Sequence, residues 1–154
     1  MKRILLVAIA ILALLPAQAR KAKKPFTHET VSIPAVEPCL VAVETEGTSL
    51  VFSVRENRVV HQLYYGTRVD AEEFASVPAK RGRYSDGALA YPATGARFLG
   101  EPALHLRYAD GNHNTELRYL SHETSETQGV VTTTIHLKDY VTEVLVDLVF
   151  DAYP

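Results

Sequence analysis

Apolar and polar residues alternate over several short segments of the chain, and this two-residue period predicts β-strands. Residues 48–55 and 58–65 are two such segments, rich in β-branched and aromatic side chains. Glu56 and Asn57 separate them, as a tight turn does. We therefore expect residues 48–65 to form a β-hairpin.

The same alternation returns in the second half of the chain. Residues 103–109 and 115–122 flank Asp110-Gly111-Asn112, a sequence typical of tight turns, and predict a second hairpin. Two more strands are expected at residues 130–137 and 141–150. In the last strand the period places four apolar residues on one face: Val144, Val146, Leu148 and Phe150.

Residues 38–154 are therefore expected to form one all-β domain. A valine-rich segment at 39–45 brings the number of strands to about seven, which predicts an antiparallel β-sandwich. Residues 20–37 contain two prolines and are interpreted as an extended leader. Residues 67–101 contain scattered glycine and proline and predict a long loop, and loops of this length are usually functional or cover a neighbour.

The N-terminus has the features of a secretory signal peptide. Lys2 and Arg3 precede an apolar run at residues 4–15, and Ala17-Gln18-Ala19 follows it as a cleavage pattern. The run is shorter than the about 20 residues that cross a bilayer. We predict a signal peptide at residues 1–19, an exported, periplasmic or secreted protein, and no membrane span.

Composition narrows the choice of partners and redox chemistry. The 154 residues suit a single domain, and their formal charge is −2. From Pro25 onward 10 basic residues face 18 acidic ones, a balance that argues against nucleic-acid binding. Cys39 is the sole cysteine, so it is expected to be a buried thiol in preference to an intermolecular bridge.

No local sequence motif predicts a metal site or a catalytic site. Four histidines fall on predicted strands, at spacings that fit no metal-ligand motif, so no metal and no cofactor is expected: His61, His105, His122 and His136. Glycoside hydrolysis needs two carboxyl groups about 5.5 Å apart or further. The carboxylates considered for it are expected to be solvated surface groups: Glu72, Glu73, Asp86, Glu101, Glu143 and Asp147.

Several strings, taken together, are similar to one known family. The segment TSLVFSVRENRVVHQLYYGTRV at residues 48–69 resembles the opening hairpin of the N-terminal domain of glycoside hydrolase family 36, found in microbial α-galactosidases. Further strings follow in the order of that family: Tyr91-Pro92-Ala93-Thr94-Gly95, Glu101-Pro102-Ala103-Leu104, Asp110-Gly111, Glu116-Leu117-Arg118-Tyr119, Ser121-His122, and residues 141–154. At Phe98-Leu99-Gly100 the chain departs from the Asp-Phe-Arg common in the family.

The resemblance implies a β-supersandwich that precedes a (β/α)8 barrel, with both catalytic aspartates on the barrel. The chain would be the truncated, non-catalytic front part of a secreted retaining α-galactosidase that acts on terminal α-galactosides. Its partners would be that barrel and, as in tetrameric members, further copies of the enzyme. No catalytic residue is expected in this chain, and it is expected to be inactive alone.

The resemblance also implies a role for the long loop, which in tetrameric members extends towards a neighbouring subunit's active site. Arg83, Tyr84 and Asp86 are therefore candidates for contacts with the sugar substrate, with surface decoration as the alternative.

Two other interpretations stay open. The chain could be a free-standing periplasmic sandwich for carbohydrate binding or adhesion, a function that favours large aromatic side chains. Tyr64, Tyr65, Tyr84 and Tyr91 could serve it, although the chain has no tryptophan. Alternatively, a truncated domain would leave an open apolar edge at residues 141–150 and would aggregate, which size-exclusion chromatography tests.

Overall fold

Six β-strands form two antiparallel sheets in a computed structural model that describes residues 31–74, 89–95 and 100–154. Their bounds are β1 Cys39–Glu44, β2 Thr48–Val54, β3 Val60–Thr67, β4 Leu117–Thr127, β5 Val130–Asp139 and β6 Leu145–Ala152. The strand orders are β1-β2-β3 and β4-β5-β6. The predicted all-β antiparallel class is confirmed. The predicted signal peptide at residues 1–19 lies outside the described residues and stays a prediction.

The first predicted hairpin is confirmed. β2 pairs with β3 from Thr48 opposite Thr67 to Val54 opposite Val60, and β1 pairs along the other side of β2. The turn between β2 and β3 contains Arg58 in a left-handed conformation, with φ of 64°. Its backbone is closed by a 3.1 Å hydrogen bond from the Arg55 amide to the Val59 carbonyl.

The second predicted hairpin is wrong. Residues 103–109 do not form a strand, and Leu104 makes an isolated bridge with Ala93. The turn predicted around Gly111 is present, because the Gly111 amide donates to the Tyr108 carbonyl at 2.9 Å. The predicted alternation is also visible in the burial of this segment, which alternates between exposed and half-buried residues. Alternation here reflects an extended chain with one face on the protein, and no described strand pairs with it.

The hairpin partner of β4 is β5. The two strands are joined at Gln128 and Gly129, whose φ angles are 53° and 81°. Two successive left-handed residues define the type I′ turn, whose twist matches that of the flanking strands. The polar segment 123–129 therefore contains the end of β4, which is exposed on both faces and so lacks the apolar alternation of a half-buried strand.

The last strand is confirmed with shifted bounds, since β6 begins at Leu145. Val146, Leu148 and Phe150 lie on its half-buried face, as predicted, and alternate with exposed residues. Val144 precedes the strand, in the connection from β5. Two residues just before it, Val141 and Glu143, donate backbone hydrogen bonds to Asp139.

The core lies between the two sheets. The buried apolar side chains come from both sheets, four from the first and three from the second: Val41, Phe52, Val54, Val60, Tyr119, Ile135 and Leu137. Complete burial of one such side chain stabilises the fold by about 1.5–3 kcal/mol.

Arg58 fastens the first hairpin to β4. Its carbonyl accepts a 2.8 Å hydrogen bond from the Tyr119 amide, and its guanidinium Nη1 donates to the Tyr119 carbonyl at 3.0 Å. Its Nε also donates to the Pro34 carbonyl at 2.7 Å.

Beyond the strands, Ala71–Phe74 form one 3-10 turn. No helix in the described ranges is long and apolar enough to span a bilayer.

Candidate functional site

The sequence-predicted sugar contacts at Arg83, Tyr84 and Asp86 lie outside the described residues and stay predictions. The described segment 89–95 comes after these positions in the sequence. It is attached to β3, because Leu89 bridges His61 and the Ala90 amide donates to the Val60 carbonyl at 3.0 Å.

The described carboxylates that were candidates for glycoside hydrolysis lie in separate places. Glu72 and Glu73 lie exposed on the 3-10 turn, and Glu101 is also exposed, while Asp86 is outside the described residues. Glu143 forms an ion pair with Lys138, and Asp147 accepts a 2.7 Å hydrogen bond from His136. Glu143 and Asp147 therefore serve as surface ion-pair and hydrogen-bond partners.

The histidines occupy separate environments. His61 is buried in β3, His122 lies in β4 with its Nδ1 2.7 Å from the Tyr119 hydroxyl, and His136 lies in β5. His105 is not on a strand, contrary to the prediction, and its Nε2 lies 3.0 Å from Nδ1 of His113. Across residues 31–74, 89–95 and 100–154, no three histidine, cysteine, aspartate or glutamate side chains converge as a metal site.

The Cys39 thiol is half-buried and adjoins the Tyr119 hydroxyl. Burial raises the pKa of Cys39, and the hydrogen bond with Tyr119 only partly opposes this. Burial, followed by the charge of a Cys39 thiolate, raises the pKa of Tyr119. Because nucleophilic cysteines need a lowered pKa, this thiol is a packing group and not an activated nucleophile.

A cavity of about 350 Å³ lies where the first hairpin meets the start of β4. Residues of the β2–β3 turn form one side and residues just before and within β4 form another, with segment 89–95 beside them. Polar and apolar side chains both line it, among them Arg55, Asn57, His61, Tyr91, Glu116 and Arg118. A cavity of this size is at the lower end of the range for small-molecule sites.

Two arginines are the distinctive groups of this cavity. Arg118 pairs through Nη2 with Glu116 Oε2 at 2.6 Å, and its Nη1 donates to the Asn57 carbonyl at 3.4 Å. The Nε atoms of Arg118 and Arg55 are both buried, and neither has a hydrogen-bond partner among the described residues. Two guanidinium groups thus share the cavity with one carboxylate, an arrangement that favours an anion.

Arg55 and Arg118 are not among the site residues that the sequence predicts. Arg55 follows β2 and Arg118 lies in β4, so only the packing of one sheet on the other brings them to one cavity. The one local signal is the spacing of Glu116 and Arg118, which a strand places on the same face.

Comparison with protein-family models identifies one family. The sequence model of the Glycosyl hydrolase family 36 N-terminal domain matches residues 58–154. No curated protein is similar enough in sequence to count as a relative.

Several solved α-galactosidase structures have a fold similar to that of this chain. The GH36 alpha-galactosidase AgaA from Geobacillus stearothermophilus is 22% identical, with a TM-score of 0.63 over 75% of this chain and 20% of that chain. The alpha-galactosidase from Lactobacillus brevis is 19% identical, with a TM-score of 0.61 over 80% of this chain and 21% of that chain. AgaB from Geobacillus stearothermophilus is 20% identical, with a TM-score of 0.56 over 74% and 19%.

These similarities establish the fold, and the chain spans about one fifth of the length of those enzymes. The family match covers β4, β5 and β6 entirely and β3 from its first residue. The chain therefore belongs to the family of glycosyl hydrolase family 36 N-terminal domains.

Proposed function

We propose that the chain is the non-catalytic N-terminal domain of a secreted, retaining α-galactosidase. The observation that carries this proposal is the family match over residues 58–154, within a fold shared with solved α-galactosidases. The predicted signal peptide at residues 1–19 supports export.

Terminal α-galactosides are the proposed substrates of the full-length enzyme. Variants of AgaA have been crystallised in complex with raffinose and with stachyose. By analogy, we extend sugars of this kind to the enzyme that contains this chain. Arg83, Tyr84 and Asp86 remain the proposed contacts of the long loop with sugar at a neighbouring subunit.

The catalytic acids are proposed to lie in a (β/α)8 barrel outside this chain. A glycosidase needs two carboxyl groups that face each other across the scissile bond. In the described part of the chain Glu143 pairs with Lys138 and Asp147 with His136 at the protein surface, so these two carboxylates already have partners of their own.

The barrel and further copies of the enzyme are the proposed partners. The outward face of β6 carries Leu145 and Val149, which are 66% and 57% exposed, and Val141 and Tyr153 beside it are similarly exposed. Large apolar side chains exposed together are typical of surfaces that another domain covers. This supports a neighbouring domain against the second sheet.

Assays on the purified chain test whether it folds on its own and lacks α-galactosidase activity. We expect it to unfold cooperatively, to show a β-sheet circular dichroism spectrum, and to release no nitrophenol from p-nitrophenyl-α-galactoside, with a family 36 α-galactosidase as the positive control. Turnover that a point substitution in this chain abolishes would contradict the proposal.

Two further measurements separate this function from a free-standing sugar-binding sandwich. Calorimetry with melibiose and raffinose at millimolar concentration is expected to show no binding, whereas saturable binding would favour the sandwich. The nucleotide sequence after the Pro154 codon is expected to continue in frame into a barrel that contains two aspartates, and an immediate stop codon would argue against it.

A further inference from the structure

We propose that the cavity at Arg55 and Arg118 is a binding site for a carboxylate group. The inference concerns a function of the sandwich itself and does not depend on the activity of a full-length enzyme. The carboxylate could belong to a small organic acid or to an acidic side chain of a neighbouring protein surface, and the experiment below separates these two sources.

Arg55 is the main donor for such a ligand, because both Nη atoms of Arg118 already have acceptors, the Glu116 carboxylate and the Asn57 carbonyl. A guanidinium presents Nε–H and Nη–H along one edge, and this edge matches the two oxygens of a carboxylate. In both Arg55 and Arg118 the Nε is buried and has no partner within the described part of the chain. Because these Nε atoms are closed off from solvent, a ligand in the cavity is held by the Nη groups of Arg55, which have no acceptor among the described residues.

The charge of the cavity has the sign that a carboxylate requires. Glu116 neutralises Arg118 through the 2.6 Å contact, which leaves the charge of Arg55 in excess. This excess is notable because acidic residues outnumber basic ones 18 to 10 from Pro25 onward. An electropositive cavity in an acidic protein selects anions from solution.

The walls of the cavity strengthen such an interaction. Val60 and Leu137 are buried core residues that line it, and Tyr91 lies beside them. Apolar walls lower the local dielectric constant, so an ion pair inside the cavity is stronger than one on the surface. The volume of about 350 Å³ admits a small organic acid or the end of a glutamate side chain.

Nuclear magnetic resonance of the arginine Nε–Hε groups tests the site in the unmodified chain. Sodium acetate is titrated at constant ionic strength against sodium chloride, with neutral acetamide as the isosteric control. We expect the Arg55 and Arg118 resonances to shift saturably with acetate and not with acetamide. The resonance of Arg68, which is exposed and paired with Glu44, is expected to stay in place.

Matched variants then test whether Arg55 provides the affinity for acetate. Arg55→Gln is expected to weaken acetate binding about tenfold or more, because a charge-assisted hydrogen bond is lost, whereas Arg68→Gln leaves it unchanged. Equal, non-saturating shifts at Arg68 and at the cavity, or equal responses to acetate and acetamide, would overturn the proposal. Because that comparison uses the unmodified chain, it remains decisive if Arg55→Gln fails to fold.

A comparison of two larger acids separates the sources. Succinate represents a free organic acid, and N-acetylglutamate N-methylamide represents an acidic protein side chain. Tighter binding of succinate assigns the site to a free acid, and tighter binding of the capped glutamate assigns it to a protein partner. Failure of both to shift the Arg55 and Arg118 resonances would contradict a carboxylate site.

Discussion

The rings of Phe52 and Phe150 lie with their centroids 5.2 Å apart and their planes inclined by 40°. Phe52 belongs to β2 and Phe150 to β6, so this pair joins the two sheets. Aromatic pairs at this separation contribute about 0.5–1.5 kcal/mol beyond the area that they bury. The contact is thus part of what holds the sandwich together.

Replacement of Phe52 by alanine is expected to lower the free energy of unfolding by about 3–5 kcal/mol, because it leaves a cavity between the sheets. Urea denaturation followed by circular dichroism measures the loss. Tyr65→Ala in β3 is the matched control, since Tyr65 is 70% exposed, and it should change the stability by less than about 0.5 kcal/mol. Equal losses in the two variants would show that the sheets do not pack through Phe52.

The buried carboxylate of Asp139 holds the connection between β5 and β6 and the chain before β4. Its Oδ2 accepts from the Glu116 amide at 2.9 Å, and its Oδ1 accepts from the amides of Val141 and Thr142 at 2.8 and 3.2 Å. Asp139→Ala leaves three donors without this acceptor and should cost about 3 kcal/mol in urea denaturation. Asp110→Ala, an exposed turn carboxylate with one amide partner, should cost less than about 1 kcal/mol, and the reverse order would contradict this role.

Gly95 lies in a close approach that no other residue fits. Its φ is 130°, and a Cβ atom there would lie 2.3 Å from Asn114 Oδ1 and 2.9 Å from the Thr115 amide nitrogen. Gly95→Ala is expected to lower the free energy of unfolding by about 1–3 kcal/mol. Gly47→Ala is the control, since nothing lies within 4 Å of its Cβ position, and thermal melting should separate the two variants.

Alkaline pH should destabilise the fold through Cys39 and Tyr119. Burial raises the pKa of Cys39 above 9.0 in the folded chain, so the unfolded chain loses the thiol proton first as the pH rises. The stability from the protonated thiol is complete below pH 9.0 and is lost as the pH rises through the raised pKa of the folded state. Tyr119, whose ordinary pKa is 10.0, acts in the same direction at higher pH.

The urea midpoint measured across this range checks the expectation. Cys39→Ala should flatten the decrease that begins near pH 9.0 and should also reduce the decrease due to Tyr119, because Cys39 is one of the groups that raise the pKa of Tyr119. A variant with the same alkaline decrease as the unmodified chain would show that Cys39 does not contribute to it.

The sequence predicts the strands whose stability depends on burial. The alternation in 48–65 and in β6 marks a face that packs on the core, and the turn at Glu56 and Asn57 supplies the register of the first hairpin. The end of β4 escapes this reasoning because it faces solvent on both sides. Its order comes from the backbone ladder with β5 and from pairs such as Thr124 and Thr133, whose hydroxyls lie 3.4 Å apart.

The cavity could not be predicted in the same way. Arg55 and Arg118 lie far apart in the chain, and neither is part of a sequence motif for anion binding. Their proximity to one cavity follows from how the turn of one sheet meets the first strand of the other. Long-range packing of this kind leaves no local trace in a single sequence.

The double hydrogen bond between Arg58 and Tyr119 gives the molecule an internal reporter. The Tyr119 amide donates to a carbonyl in the β2–β3 turn, so this hydrogen bond lasts only while the first hairpin stays against β4. Its hydrogen–deuterium exchange rate therefore reports how often the two sheets separate.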